Sequence, residues 1–429
     1  MELYYSFSVL IVLAAMFAYI NYRFLRLPNT IGIMVIAIVV SMFLIFLGDV
    51  ALPKTTDRLH DLMTSIDFTE VLMGAMLNFL LFAGGIHINI DDLKEQIWPV
   101  VMFSTVGVVI STFAVGAGMY YLLPLLGIHI PFLYCLVFGA LISPTDPVAV
   151  LSILKQANVS KSLETKVAGE SLFNDGMAVV VFTVVLQLAT GKEVDLSLEN
   201  IFILLLHEAG GGLLLGVLLG WLTSRMMRHV DDYIISVLVT LSVVMGGYLI
   251  ARQMHISGPL TMVAAGLFMG NFNIKFSMKS VTQDYLIKFW ELIDEILNAI
   301  LFLFIGFELF VLKDLGKFAV PSVIAIIVVL LARVTAIILP VKLMPRHTRF
   351  SPQTLRVLIW GGIRGGVSIA LAMSIPKGEY SSAILSITYF VVVFSIIVQG
   401  LTIAKVANPK KIVEEDREHL SQLEAHESE

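Results

Sequence analysis

Long apolar runs separated by short polar interruptions dominate the chain. A hydrocarbon layer of ~30 Å takes about 20 apolar residues in a helix. Windows of that kind centre near residues 6–22, 29–47, 69–87, 98–122, 132–154, 167–189, 200–222, 233–251, 258–272, 290–311, 318–340, 354–375 and 381–405. The pattern predicts an all-α polytopic membrane protein of about 13 transmembrane helices. The window opening at Gly258 is short, and Met278 to Leu286 is expected to form an interfacial helix before the next span. No Lys or Arg precedes the first apolar run and no small-residue cleavage site follows it, so the first run reads as a membrane helix rather than a signal peptide.

An odd number of spans places the two termini on opposite sides, and basic residues mark the cytoplasmic one. With the N-terminus outside, 19 of the 28 Lys and Arg fall on one side and seven on the other, while Arg333 and Arg364 fall within spans. The split predicts N-terminus out and C-terminus in. Residues 407–429 form a short polar cytoplasmic tail.

The fifth and twelfth spans are interrupted by turn residues, Ser143-Pro144-Thr145-Asp146-Pro147 and Gly361-Gly362-Ile363-Arg364-Gly365-Gly366. They lie seven spans apart, an odd offset that inverts orientation. Spans 1–6 and 8–13 therefore read as an inverted repeat joined by the seventh, a plan common among transporters. Loops are short and no Gly/Ser linker divides the chain, which implies one membrane domain over 1–406.

Composition agrees with the pattern and narrows the function. With 58% hydrophobic and 14% charged residues, too little polar side chain exists to cover a water-soluble globule of 429 residues. The net charge of −5 and the absence of a basic block exclude a nucleic-acid partner. A single cysteine, Cys135, excludes an internal disulfide and a cysteine metal cluster.

Chemistry concentrates where the spans break. Pro144 and Pro147 force the fifth span to unwind, and backbone unwound at membrane depth must line a wet or ion-binding cavity. Asp146 lies inside that break, where helix N-termini, a cation or a proton must compensate it. The next span carries Glu170, Ser171, Asn174 and Asp175; Glu170 with Asn174 and Ser171 with Asp175 are four apart, which gathers polar oxygens on one flank. Oxygen ligands suit a hard cation, and no His or Cys cluster points to zinc or copper. A carboxylate that holds a cation or a proton, but not both well, is the minimum device for coupling the two.

Arg333 lies deep in an apolar span and keeps its proton, so it needs an anion. Glu170 is the favoured partner, which leaves Asp175 for the ion. Arg364 would supply positive charge where half-helix C-termini point inward. Glu291, Asp294, Glu295 and Asn298 form either a cation-concentrating vestibule or an interfacial face. His207, Glu208 and Glu308 read as local hydrogen-bonding or dimer-face residues. Asn78 either bonds across helices or points into the ion path.

Thr145-Asp146-Pro147, Glu170-Ser171, Phe173-Asn174-Asp175-Gly176, Arg333 and Gly361-Gly362-Ile363-Arg364-Gly365, in that order and spacing, closely resemble the NhaP-type sodium/proton antiporters of the cation/proton antiporter superfamily. Phe289-Trp290-Glu291 with Asn298 and Phe304-Ile305-Gly306 is similar to that family's tenth helix. The resemblance implies a homodimer in the cell membrane, with a dimerisation part at about 1–90 and 232–312. It implies a mobile core at about 97–190 and 315–406 around two crossed broken helices, with a linking helix at about 199–222. It implies Na+ ligation by Asp175, Ser171 and Thr145 with Asp146 in support, a structural Glu170–Arg333 pair, and no cofactor. Relatives with Asn before the Asp, as Asn174 stands here, exchange one for one. Many relatives carry an acid after Leu-Leu-Phe of the third span, where this chain has Ala83.

The leading reading is secondary antiport of Na+, with Li+, against H+ by elevator-type alternating access. Potassium/proton exchange by the same machinery is the alternative. Two membrane aspartates would also serve an intramembrane aspartyl protease, but the double proline break and Arg333 oppose it. A single titrating carboxylate suits exchange better than a passive channel.

Overall fold

The computed structural model describes residues 2–48, 68–147, 150–151, 154, 161–191, 198–228, 230, 232–274, 280–312, 315–344 and 350–407. Much of the polar 407–429 segment and several loops counted for orientation lie outside them. The described residues are helical throughout, with turns and no strand. Among the described residues, eight helices are long and apolar enough to cross a membrane.

In chain order the principal helices are α1 (Glu2–Ile20), α2 (Asn29–Phe43), α3 (Leu77–His87), α4 (Val108–Leu122) and α5 (Phe132–Leu141). Then come α6 (Lys161–Ala189), α7 (Leu198–Met227), α8 (Tyr233–Gln253), α9 (Gly258–Phe268) and α10 (Ser280–Val311). The series closes with α11 (Leu315–Leu343), α12 (Pro352–Trp360), α13 (Gly366–Met373) and α14 (Ser381–Phe394). Several run on through π-helical turns, which lengthen α1 through Asn21–Leu25 and carry α14 through Ser395–Gln399 into Gly400–Val406.

The helices that fall short of a full span do so for physical reasons. α5, α12 and α13 are halves of broken spans. Although α10 is 32 residues long, its inner stretch carries Glu291, Asp294, Glu295 and Glu308, which a lipid-facing helix would not tolerate. The interfacial helix expected over Met278–Leu286 is not separate: from Ser280 the chain is one continuous helix to Val311. Leu286 and Trp290 are fully buried on it, and the Trp290 indole donates to Thr240 Oγ1 at 3.1 Å while packing on Phe82, so this stretch is interior rather than interfacial.

Packing groups the helices. α4 lies against α5 and α11, α5 against α6 and α13, and α14 against α11 and α13. α10 packs on α1, α2, α3 and α8, while α9 sits between α3, α7 and α8. The two groups meet where α10 touches α13 and where α6 touches α9. Small residues permit the close crossings expected without a hydrophobic drive in lipid: Gly306 of α10 lies on α2, where Ser41 Oγ donates to its carbonyl at 3.0 Å.

Candidate ion site at two helix breaks

The two interruptions meet. α5 ends at Leu141, residues 143–146 are non-helical, and helical geometry resumes at Pro147, whose missing N–H costs nothing at a first helical position. α12 ends at Trp360, residues 362–365 are non-helical, and α13 begins at Gly366. The Asp146 amide donates to the Ile363 carbonyl at 2.7 Å, joining one break to the other.

Each broken helix leaves carbonyls that lipid cannot satisfy. Buried guanidinium groups take them. Arg364 Nη1 donates to the carbonyls of Ser143 at 2.6 Å and Pro144 at 3.1 Å, just past the end of α5. Arg333 donates to the Leu358 carbonyl of α12 through Nη2 at 2.9 Å and Nε at 3.3 Å. Cations are stabilising at helix C-termini, so the arginines serve both as donors and as charge. The next orphan, the Trp360 carbonyl, accepts from Gln399 Nε2 at 3.0 Å; Gln399 Oε1 accepts from Ser395 Oγ, and Ser395 Oγ accepts from the Arg364 amide at 2.9 Å. The π-helical turn at Ser395–Gln399 brings both side chains to the break. Sequence reading missed them, although a Ser and a Gln four apart in an apolar span were the available signal.

Glycine is required twice here. A Cβ at Gly362 would fall on the Arg333 guanidinium, and one at Gly365 would fall on the Asp146 carboxylate. The second contact sets Asp146 at the N-terminus of α13, the end that favours a negative charge.

α6 supplies the other wall. Asn174 Nδ2 donates to Thr145 Oγ1 at 2.8 Å and to Glu170 Oε1 at 3.3 Å, and its Oδ1 accepts from the Thr145 amide at 3.2 Å. Thr145 and Ser171 hydroxyls lie 3.0 Å apart. Glu170 is bidentate with Arg333, Oε1 to Nη1 at 2.6 Å and Oε2 to Nη2 at 3.0 Å, both side chains buried. Both Glu170 oxygens are thus engaged.

Asp175 is 7% exposed and faces a cavity of about 630 Å³ that Thr145 and Asp146 also line. Ser171 and Asn174 stand behind Thr145 rather than in the cavity wall. The cavity extends to Asn89, Asp92, Lys161, Glu164 and the middle of α10. Glu291, Asp294, Glu295 and Asn298 all line it, so this segment is a vestibule wall rather than an interfacial face, and Asn298 Nδ2 donates to Asp294 Oδ1 at 3.1 Å. Low-dielectric walls whose charged groups are mostly acids raise the local concentration of cations. Asp92 and Glu164 join this wall; on the sequence they read as ordinary loop charges.

Other candidates lie elsewhere. Asn78 neither crosses to another helix nor enters the path: its amide folds back onto the carbonyls of Met73 at 3.1 Å and Gly74 at 3.3 Å. Ala83 is fully buried on α3. Glu208 offers its backbone carbonyl to Ser257. Glu308 is 2% exposed on α10, and its backbone carbonyl accepts from the Leu312 amide at 3.1 Å.

Comparison with known proteins agrees with the geometry. Residues 11–408 match the family model described as sodium/hydrogen exchanger, transmembrane. The chain is 45% identical over 402 residues to the Na(+)/H(+) antiporter NhaP of Pseudomonas aeruginosa, covering 92% of this chain and 94% of that protein. It is 33% identical over 384 residues to the Na(+)/H(+) antiporter NhaH of Halobacillus dabanensis, covering 89% and 91%. The fold superposes on the sodium proton antiporter MjNhaP1 from Methanocaldococcus jannaschii, solved at pH 8, with a TM-score of 0.76 at 20% identity over 96% of this chain and 99% of that one.

Proposed function

The chain belongs to the sodium/hydrogen exchanger family, whose members are membrane transporters rather than enzymes, and on that premise we propose that it exchanges Na+ for H+ across the cell membrane at Asp175. The observation that carries this reading is the unequal use of two carboxylates on α6. Glu170 has both oxygens bound by Arg333, while Asp175 faces the cavity. A carboxylate open to an acid-lined cavity can take a proton or a cation in turn, and either one cancels its charge.

Thr145, backed by the Ser171 hydroxyl, completes the oxygen set beside Asp175, and the field of Asp146 at the start of α13 adds to the cation's attraction. Asn174 orients Thr145 and carries no charge of its own. One exchanging carboxylate then moves one positive charge each way, so exchange is one for one and electroneutral. Li+, a smaller hard cation, fits the same oxygen chemistry, and no cofactor enters the cycle.

Alternating access would carry the paired breaks, with α4–α6 and α11–α14, past a scaffold of α1–α3 and α8–α10, in the manner of an elevator, with α7 as the link. The scaffold would dimerise with that of a second copy, as the resemblance to the antiporters implies. Basic-residue asymmetry puts the cavity mouth on the cytoplasmic side.

The test is a voltage step. In proteoliposomes with matched Na+ and H+, a potassium-valinomycin potential of about 100 mV is worth ~2.3 kcal/mol per net charge moved. No sodium-dependent pH change is expected. A voltage-driven one would require a second titrating group, and proton movement on adding K+ in place of Na+ would make potassium the substrate.

A further inference from the structure

The face that α10 turns toward the breaks repeats every seven residues: Asp294, Leu301, Glu308. Seven residues are nearly two full helical turns, so the three share one face, each step about 10 Å along the axis. Asp294 lines the cavity with Asp175. Leu301 presses on Gly366 at the head of α13, level with the crossing. Glu308 lies beyond, one heptad past Leu301, where the lining of this cavity on α10 ends.

Its surroundings are those of a group waiting for a different state. Gly306 is committed to α2 and the Phe307 ring pairs with Phe17 of α1 at 6.1 Å, so both neighbouring faces of α10 are fixed to the scaffold. Tyr389 on α14 of the other helix group is within electrostatic reach of Glu308, with its hydroxyl beside the α10 backbone at Leu309. Tyr389 is 2% exposed and its oxygen has no hydrogen-bond partner of sound geometry. None of the ion pairs among the described residues involves Glu308. A buried carboxyl near a buried phenol whose oxygen is unsatisfied, across the boundary between two helix groups, costs stability in this state.

We propose that Glu308 is the ion station of the opposite vestibule, the counterpart of Asp294, receiving Na+ or H+ when Asp175 faces the other side of the membrane. This rests on the exchange reading above. Leu301 is the apolar seal between the stations, and a slide of the breaks along α10 by about one heptad would carry Asp175 from one acid toward the other. Tyr389 closes over Glu308 in the present state and departs with α14.

Side-resolved kinetics test it. Everted and right-side-out vesicles carrying the full chain report the Na+ half-saturation from each face. Glu308→Gln is expected to raise it at least tenfold from the face opposite the cavity and less than twofold from the cavity face, with Glu308→Asp retaining most of the parent affinity. Asp294→Asn is expected to do the reverse. An equal change from both faces, or none from either, overturns the proposal. A parent that moves no protons with Na+ would instead overturn the exchange reading. Should Glu308→Gln fail to accumulate, Glu308→Cys labelled with a membrane-impermeant maleimide decides, since Cys135 is buried and the parent is blank. Labelling only from the opposite face supports the station, and labelling from the cavity face or from neither overturns it.

Discussion

Glu170 and Asp175 are five residues apart on one helix, both carboxylates, both almost fully buried, yet their surroundings divide them. Glu170 is held by a bidentate arginine that is itself tied to the end of α12. Asp175 looks into a cavity. The difference teaches that burial alone does not make a membrane carboxylate an ion site. What matters is whether its lone pairs are already spent. Arg333 spends those of Glu170 and, by bridging α6, α11 and α12, turns an ionisable residue into a structural rivet.

The largest effect should come from breaking the exposed side of this contrast. Asp175→Asn is expected to bring sodium-driven proton flux in proteoliposomes to background with the fold intact, because the amide cannot carry the charge for which both ions compete. Asp146→Asn is expected to come close, through loss of the negative field beside the site. Residual salt-dependent flux in Asp175→Asn would reassign the site.

The opposite outcome is expected for the rivet. Glu170→Gln leaves Arg333 buried without its anion, a loss of roughly 3–5 kcal/mol in soluble proteins. Thermal melting in detergent should fall well below the parent, while surviving protein binds Na+ with little change. Glu170→Gln combined with Arg333→Met is expected to recover part of the melting temperature, since removing both charges removes the uncompensated one. Parent-like melting with lost Na+ binding would make Glu170 a ligand instead.

A smaller effect sharpens the comparison from the far side of the break. Gln399→Leu orphans the Trp360 carbonyl and frees Ser395, a cost of about 1–3 kcal/mol for a buried acceptor left unmade. Melting should fall by less than in Glu170→Gln, with maximal exchange rate reduced more than Na+ affinity.

How far the chain announced these arrangements follows from the kind of signal each leaves. Broken spans were legible because two prolines around Asp146 and four glycines around Arg364 contradict an apolar run. The meeting of Glu170 with Arg333 was legible because an intramembrane arginine needs an anion and few were on offer. The continuity of α10 was not legible: the polar residues after Ser280 look interfacial until Trp290 is seen buried against Phe82. The vestibule was legible only as one of two readings of Glu291 to Asn298, since Asp92, Glu164 and Asp294 come from three distant segments that only tertiary packing gathers around one cavity. Ser395 and Gln399 were hidden by a π-helical turn, which changes the direction of side chains without a residue type that marks it.

The central claim is that one carboxylate, Asp175, trades a proton for a cation while Glu170 takes no part. Proton release on Na+ binding measures this directly, in weakly buffered detergent solution with a pH dye, at a pH where the empty site is protonated. The account expects about one proton per bound Na+ from the parent and from Glu170→Gln that remains folded, and none from Asp175→Asn. Release that persists in Asp175→Asn, or that vanishes in folded Glu170→Gln, would contradict it.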